Sequence, residues 1–331
     1  MNEKKYSFTI VVPAYNESKY ISGCLNSILN QNYDLNKIEI IVVDGMSEDS
    51  TDSIVTQFTK KYKNIFLVKN PHRKTPVSLN IGVKSAHNEV IVILGAHTEI
   101  DKNFLHFNNK YLSDENIFVV GGTQINISRT FIQKCIGLTM ESPFAMASAA
   151  YRWSRKKRFV DTVVYAAYKK EIFEKVGLFE ENLLISEDAE FNWRVRQASF
   201  KIFFTPEIIT YYFARSSLFS FFKQIFRYGI LRVNVQKKHY NSIKIRHLIS
   251  PVFFLTITTL TTLSFFQIIG ISALFWFLTF YFSINILFTA FFLFPRKIPY
   301  LPIVAIFTFI MHLLWGSGYS LGIFLPNKES H

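Results

Sequence analysis

Hydrophobic residues fall into three arrangements along this chain. Short β-branched runs of buried-strand type lie at 8–12, 38–43, 64–68, 89–94 and 117–120, and several are closed by Pro or Gly. Helical periodicity separates the first four, at about 17–30, 49–62 and 76–86, with Ser47 and Asp49 as possible N-caps of the second helix. This alternation predicts a parallel sheet covered on both faces. After Gly121-Gly122 the pattern loosens. Residues 123–160 read as an irregular connection, followed by helices at about 168–176 and 187–198 and a strand at 201–205.

The third arrangement starts near residue 216. Leu218, Phe221, Phe222 and Ile225 share one side of a helix, with Lys223 and Arg227 on another. That pattern predicts an amphipathic helix in a membrane interface; the alternative is a basic-edged helix packed on a soluble domain. Three apolar spans follow, at about 250–269, 271–294 and 299–325. The 45 residues from Pro251 to Pro295 contain no charge, about twice the ~20 needed to cross a bilayer. The expected organisation is an α/β domain over 1–213, a basic interfacial segment over 214–247 and a membrane region over 248–327.

Charge refines this picture. The net charge of +13 is uneven, with eight Lys or Arg and no Asp or Glu between Ala214 and His247. Beside apolar spans, such charge predicts contact with anionic lipid. No nucleic-acid-binding motif accompanies it, so no nucleic acid partner is expected. The loop at Gly270 is uncharged, whereas the next loop carries Arg296 and Lys297. The positive-inside rule then predicts a multi-pass protein of the cell membrane with its large N-terminal domain in the cytoplasm. Thr9–Val12 is too short for a signal peptide's apolar core, and Pro13 interrupts it. Cys24 and Cys135 are expected to be reduced packing residues. His312, Gly316 and Gly318 in the last span are expected to serve helix packing. A transporter is disfavoured, since no intramembrane charge marks a path.

The candidate chemistry sits where strands end. The first run continues Pro13-Ala14-Tyr15-Asn16-Glu17, and the second Asp44-Gly45-Met46-Ser47-Glu48-Asp49. In an open α/β sheet ligands bind beyond the carboxyl ends of the strands, so Glu17 and Asp44 are expected to face one crevice. The bland readings are a first-turn helix acid for Glu17 and turn chemistry for Asp44. The fourth run ends Leu94-Gly95-Ala96-His97-Thr98-Glu99. Further on, Glu187, Asp188 and Glu190 open a helix that also carries Arg194 and Arg196.

These runs, with Ser78-Leu79-Asn80-Ile81-Gly82, Gly177-Leu178-Phe179-Glu180-Glu181 and Ser186 to Arg194, resemble family 2 glycosyltransferases of the GT-A fold. Ala96-His97, Val160 to Val163, Arg215 to Leu218 and Tyr228-Gly229 resemble its bacterial exopolysaccharide, or succinoglycan glucosyltransferase, group. The resemblance implies a Rossmann-like, mostly parallel sheet and a nucleotide-sugar donor, UDP-linked by expectation. Pro13, Ala14, Tyr15 and Glu17 would border the nucleoside, Asp44 would accept from the base, and Ala96 would lie beside the cofactor. Asp188 would be the general base, with Glu187 beside it positioning base or acceptor.

Relatives usually close the fourth strand with Asp-x-Asp, which meets the ribose and a divalent cation. Here Gly95 replaces the first acid and His97 the second. His97 is the candidate ligand for Mg²⁺ or Mn²⁺, alone or with Glu99; contact with a phosphate and a merely structural role are the alternatives. Arg73, Lys74 and the basic run from Arg152 to Arg158 are candidate phosphate or lipid contacts. The expected reaction is inverting transfer of one sugar to a lipid-linked, polyprenyl pyrophosphate glycan. A processive synthase is less favoured, because Tyr228 follows Gln224 and Arg227 where such enzymes have Trp and because three spans leave little for a pore. A non-catalytic scaffold is the reading that Gly95 would support.

Overall fold

A computed structural model describes residues 4–147, 149–183, 187–213 and 217–325. Ser186 and residues 215–216, where parts of two motifs fall, lie outside them. The chain forms two compact units: Met1–Ile125 with Ala150–Phe213, and Asn126–Ala149 with Ala214–His331. Residues 126–149 group with the C-terminal helices.

In the first unit, strands β1 (Phe8–Ala14), β2 (Ile38–Asp44), β3 (Ile65–Lys69) and β4 (Val90–Ile93) alternate with helices α1 (Ile21–Leu29), α2 (Thr51–Lys61) and α3 (Thr75–Ser85). These strands lie in the order β3-β2-β1-β4 and are parallel. β5 (Thr98–Ile100) and α4 (Phe104–Leu112) follow, then β6 (Val119–Ile127), which runs on into the second unit. The first unit resumes with α6 (Ala150–Trp153), β7 (Arg158–Val160), β8 (Ala167–Lys169), α7 (Glu171–Val176), α8 (Glu187–Gln197) and the long β9 (Ile202–Phe213). Here the sheet continues β4-β8-β6-β9-β5, and β8 pairs antiparallel with both β4 and β6. The parallel half is the expected one; the antiparallel half extends it into a mixed sheet.

Strand alternation builds two cores. Phe8, Ile10 and Val12 face α1 through Ile21, Cys24, Leu25 and Ile28, all fully buried. Val11, Ile41 and Ile91 face Leu79 and Val83 of α3 and Phe191 and Val195 of α8. Strands buried on both faces need continuous apolar runs, which is what the sequence carries. α3 lies so close to β1 that a Cβ at Gly82 would sit 2.2 Å from Val11 Cγ1.

The second unit contains α5 (Phe131–Glu141), α9 (Leu218–Lys238), α10 (Ile245–Phe265), α11 (Ser272–Leu293) and α12 (Leu301–Phe324). Among the described residues three helical segments are long and apolar enough to cross a membrane: Ile245–Phe265, Ser272–Leu293 and Ile298–Phe324. α9 is the expected amphipathic helix, but its packing partner is α12. A Cβ at Gly229 would lie 2.2 Å from the Trp315 carbonyl, and one at Gly318 would lie 2.2 Å from the Phe226 carbonyl. Such small residues let backbones approach closely, as expected for the glycines of the last span. Buried polar side chains of α11 bond to α12. Tyr281 Oη lies 2.9 Å from His312 Nδ1, and Asn285 donates to the Ala305 carbonyl at 2.9 Å.

Candidate active site

The parallel strands set the site by register. Ala14 pairs with Asp44 at the carboxyl ends of β1 and β2, and the Leu94 N–H continues β4 by bonding the Val11 carbonyl. The segments 15–18, 45–50 and 95–97 therefore leave the sheet along one edge, where open α/β sheets bind ligands.

The first two segments are laced together. Asn16, in the left-handed region at φ 56°, donates its N–H to Ser47 Oγ at 2.9 Å and accepts from the Glu48 N–H at 2.8 Å. The Glu17 N–H donates to Thr51 Oγ1 at 2.8 Å, and the Ser18 N–H to Asp49 Oδ2 at 3.1 Å. Partial burial works against ionisation of Asp49, but hydrogen bonds from Thr51 and Ser18 outweigh it and draw the carboxyl down to about 2. The Asx and Ser/Thr chemistry of Ser47, Asp49 and Thr51 thus fixes the position of residues 16–18.

The two opening acids end in different surroundings. Asp44 is fully buried; it accepts from the Ser47 N–H at 3.1 Å and Oγ at 2.5 Å, and pairs with Lys69 at 3.0 Å. Its turn chemistry is therefore real, and it has an ionic partner that sequence reading missed. The signal was available, since Lys69 ends β3 opposite Asp44 in register. Glu17 lies outside the first turn of α1, which removes the helix-dipole reading for it. Its Oε1 instead sits 2.9 Å from His97 Nδ1. The geometry brings together two residues that sequence reading assigned separately, one to the nucleoside and one to the metal.

Tyr15 is exposed on the loop after Pro13 and Ala14, and the Arg73 guanidinium lies 5.8 Å from its ring centre. Arg73 is held by Glu48 at 2.8 Å. Ala96 is buried beside His97. The His97 ring meets Tyr212 at 5.3 Å and Tyr20 at 6.5 Å, centre to centre, both edge-on. No sequence signal links these tyrosines to His97, because they come from separate elements. Glu99 lies against α1, where a Cβ at Gly23 would sit 2.5 Å from its carboxylate. A Cβ at Gly95 would lie 3.3 Å from Tyr165 Cε1 and 3.4 Å from Thr98 Oγ1, so a side chain there would crowd the phenol ring. Tyr165 itself has φ 51°, a strained position for a bulky residue.

Helix α8 is tied to the sheet through β8. The Ile93 N–H donates to the Ala166 carbonyl at 3.1 Å, tying the start of β8 to the end of β4. Asn192, one turn after Asp188, donates to Thr162 Oγ1 at 2.8 Å and accepts from Tyr168 Oη at 3.0 Å. Burial pushes the Glu187 carboxyl well above the usual carboxylate range, and the neighbouring Asp188 charge pushes it further. The Asp188 charge beside it thus favours the protonated form of Glu187. Glu190 is fully buried and forks onto Arg194 at 2.8 and 2.9 Å, a structural pairing within the helix. The two quoted motifs around Asn80 and Phe179 are physically joined. Asn80 donates to the Phe179 carbonyl and accepts from its N–H, both at 2.9 Å. In the basic run, Arg152 is buried while Arg155 to Arg158 are exposed.

Residues 9–177 match the family described as glycosyl transferase family 2. The chain belongs to that family. Asp188 lies beyond the matched range. This family 2 glycosyltransferase is 31% identical over 242 residues to a Methanococcus voltae protein. That relative is named dolichyl N-acetyl-alpha-D-glucosaminyl phosphate 3-beta-D-2,3-diacetamido-2,3-dideoxy-beta-D-glucuronosyltransferase, and the match covers 70% of this chain and 75% of the relative. It is 22% identical to the succinoglycan biosynthesis protein ExoA of Rhizobium meliloti, across 95% and 94% of the two chains. In fold it resembles a mannosyltransferase from Pyrobaculum calidifontis, solved with GDP-Man and Mn²⁺. The TM-score is 0.66, with 19% identity, over 92% of this chain and 88% of that one.

Among the described residues no cluster of three His, Cys, Asp or Glu could hold a metal ion. The donor set still fits a cation that arrives with its substrate. His97 offers one nitrogen, half-exposed and held by a carboxylate on the other, and such cations complete their shell with phosphate oxygens and water.

Proposed function

We propose that this glycosyltransferase works at a membrane, moving one sugar from a nucleoside diphosphate donor to a lipid-linked glycan with inversion. The observation that carries this reading is the joining, in one chain, of a family 2 sheet to three helices of membrane length. The Methanococcus and Rhizobium relatives support it, the first by the dolichyl phosphate in its name. Arg296 and Lys297 between α11 and α12 favour a cytoplasmic catalytic unit, and the bases of α9 favour anionic lipid.

In this mechanism the Asp188 carboxylate takes the proton of the acceptor hydroxyl. The acceptor oxygen bonds to the anomeric carbon from the face opposite the diphosphate. The anomeric C–O bond breaks, and its electron pair leaves with the diphosphate. Glu187, kept protonated, donates a hydrogen bond rather than competing as base. Tyr15 and Arg73 offer a flat wall to the donor's base, while Asp44 shapes the turn beneath it. A divalent cation, Mg²⁺ or Mn²⁺, would neutralise charge on the departing diphosphate, with His97 as its protein ligand.

The test uses the full chain in detergent or bilayer, a panel of sugar nucleotides and polyprenyl-pyrophosphate-linked acceptors, with products read by mass spectrometry. One added sugar is expected, reduced about 10²–10⁴-fold in Asp188→Asn. Absence of transfer from every donor, or unchanged transfer in that variant, would overturn the assignment.

A further inference from the structure

We infer that Glu17 is the positioning residue of His97, holding the ring by Nδ1 so that Nε2 is the nitrogen presented to a divalent cation. The inference rests on the donor-site reading above and reassigns Glu17 from the nucleoside to the phosphate side of the site.

An ionised carboxylate can only accept, so Glu17 Oε1 at 2.9 Å requires the proton to be on His97 Nδ1. With Nδ1 carrying the proton, the neutral form of the ring keeps its lone pair on Nε2. Free imidazole favours the opposite tautomer, so the choice is imposed by Glu17. The carboxylate is itself well placed to impose it. The Glu17 N–H is bonded to Thr51 Oγ1 at 2.8 Å, and its carbonyl accepts from the Tyr20 and Ile21 N–H groups, both at 2.9 Å. Tyr212 and Tyr20 flank the ring edge-on and restrict its rotation. The His97 side chain retains 32% exposure, which leaves an edge open.

A carboxylate behind a histidine fixes the ring and raises its basicity as a ligand. An imidazole nitrogen suits Mn²⁺ better than Mg²⁺, which demands oxygen ligands more strictly. The pair therefore predicts a preference for Mn²⁺.

Two readouts test this without relying on turnover. The first is the ring nitrogen spectrum of ¹⁵N-histidine-labelled full-length protein, with His97 assigned by its loss in His97→Ala. The wild type should show the Nδ1–H form at His97, and Glu17→Ala should shift it toward the Nε2–H form. The second is Mn²⁺ affinity by electron paramagnetic resonance with UDP or GDP as the diphosphate probe. Glu17→Ala should weaken binding about 10–100-fold, His97→Ala at least as much, and the double variant no more than His97→Ala.

His97→Asp separates positioning from damage to the fold. A carboxylate at 97 needs no orienting partner, so Mn²⁺ affinity should be retained in His97→Asp and stay insensitive to Glu17→Ala in that background. An unchanged tautomer in Glu17→Ala would overturn the inference. So would Mn²⁺ binding that depends on His97 but not on Glu17, or Glu17→Ala weakening binding equally in the His97→Asp background. Failure of the functional reading is distinct: no donor would be transferred, while the tautomer and Mn²⁺ affinity still answered to Glu17.

Discussion

At the residue scale, the division of labour between Glu187 and Asp188 has a thermodynamic consequence. Glu187 titrates above its ordinary range in the folded protein because burial and the Asp188 charge disfavour its ionised form. The unfolded chain releases that proton near pH 4.3, so between there and the raised folded value the folded state binds more protons. Stability must then fall as pH rises across that window, the reverse of the usual behaviour of a paired carboxylate. Glu187→Gln removes the titration. Relative to wild type it should gain little at pH 4 and about 1–3 kcal/mol at pH 7 to 8, read from chemical denaturation at each pH. Transfer should persist within about tenfold, since the base is the neighbouring acid. A variant with no pH-dependent gain would mean that Glu187 ionises normally and could compete for the role of base.

At the scale of elements, legibility followed locality. The four parallel strands could be read within a residue or two, because each is a continuous apolar run with turn residues at its ends, whereas α1 starts four residues later than its pattern suggested. The antiparallel half was harder. β8 has only three residues, and β9 extends to Phe213 through Glu207 and Thr210, which interrupt the apolar signal. Candidate residues could be named from sequence wherever one segment carried them, as in Tyr15 to Glu17 or Asp188. The site was not legible where two segments meet: Glu17 with His97 is a contact across 80 positions, and Tyr165 lies against Gly95 from 70 positions away. The glycine of the Ser78–Gly82 motif shows the same point in packing. Its Cβ would penetrate Val11, so Gly82→Ala should cost about 1–3 kcal/mol. Val11→Ala removes the obstructing methyls, and the double variant should lose less than the sum by about 1 kcal/mol. Strict additivity in a denaturation cycle would show that α3 is not held against β1 by this contact.

At the scale of the whole molecule, the C-terminal helices differ from an appended anchor. The second unit takes residues 126–149 from the middle of the catalytic sequence. Within that unit, Cys135, Ile136 and Met140 of α5 are almost wholly buried against Phe221, Ile225, Phe307 and Met311. A chain ending at Phe213 would strip those side chains of their partners, each contributing about 1.5–3 kcal/mol when buried. It would leave an apolar patch of the kind that drives association. The expected product is aggregated or dependent on detergent by size-exclusion chromatography. A second truncation, in which 126–149 is also replaced by a Gly/Ser linker, should be soluble and keep its α/β circular dichroism. A monodisperse 1–213 fragment would instead show that this arm is stable without the helices. The distinction bears on mechanism, because an anchor serves only to concentrate an enzyme at a surface. An arm that leaves the sheet after β6 and returns at α6 makes the membrane-length helices part of how the catalytic chain itself folds.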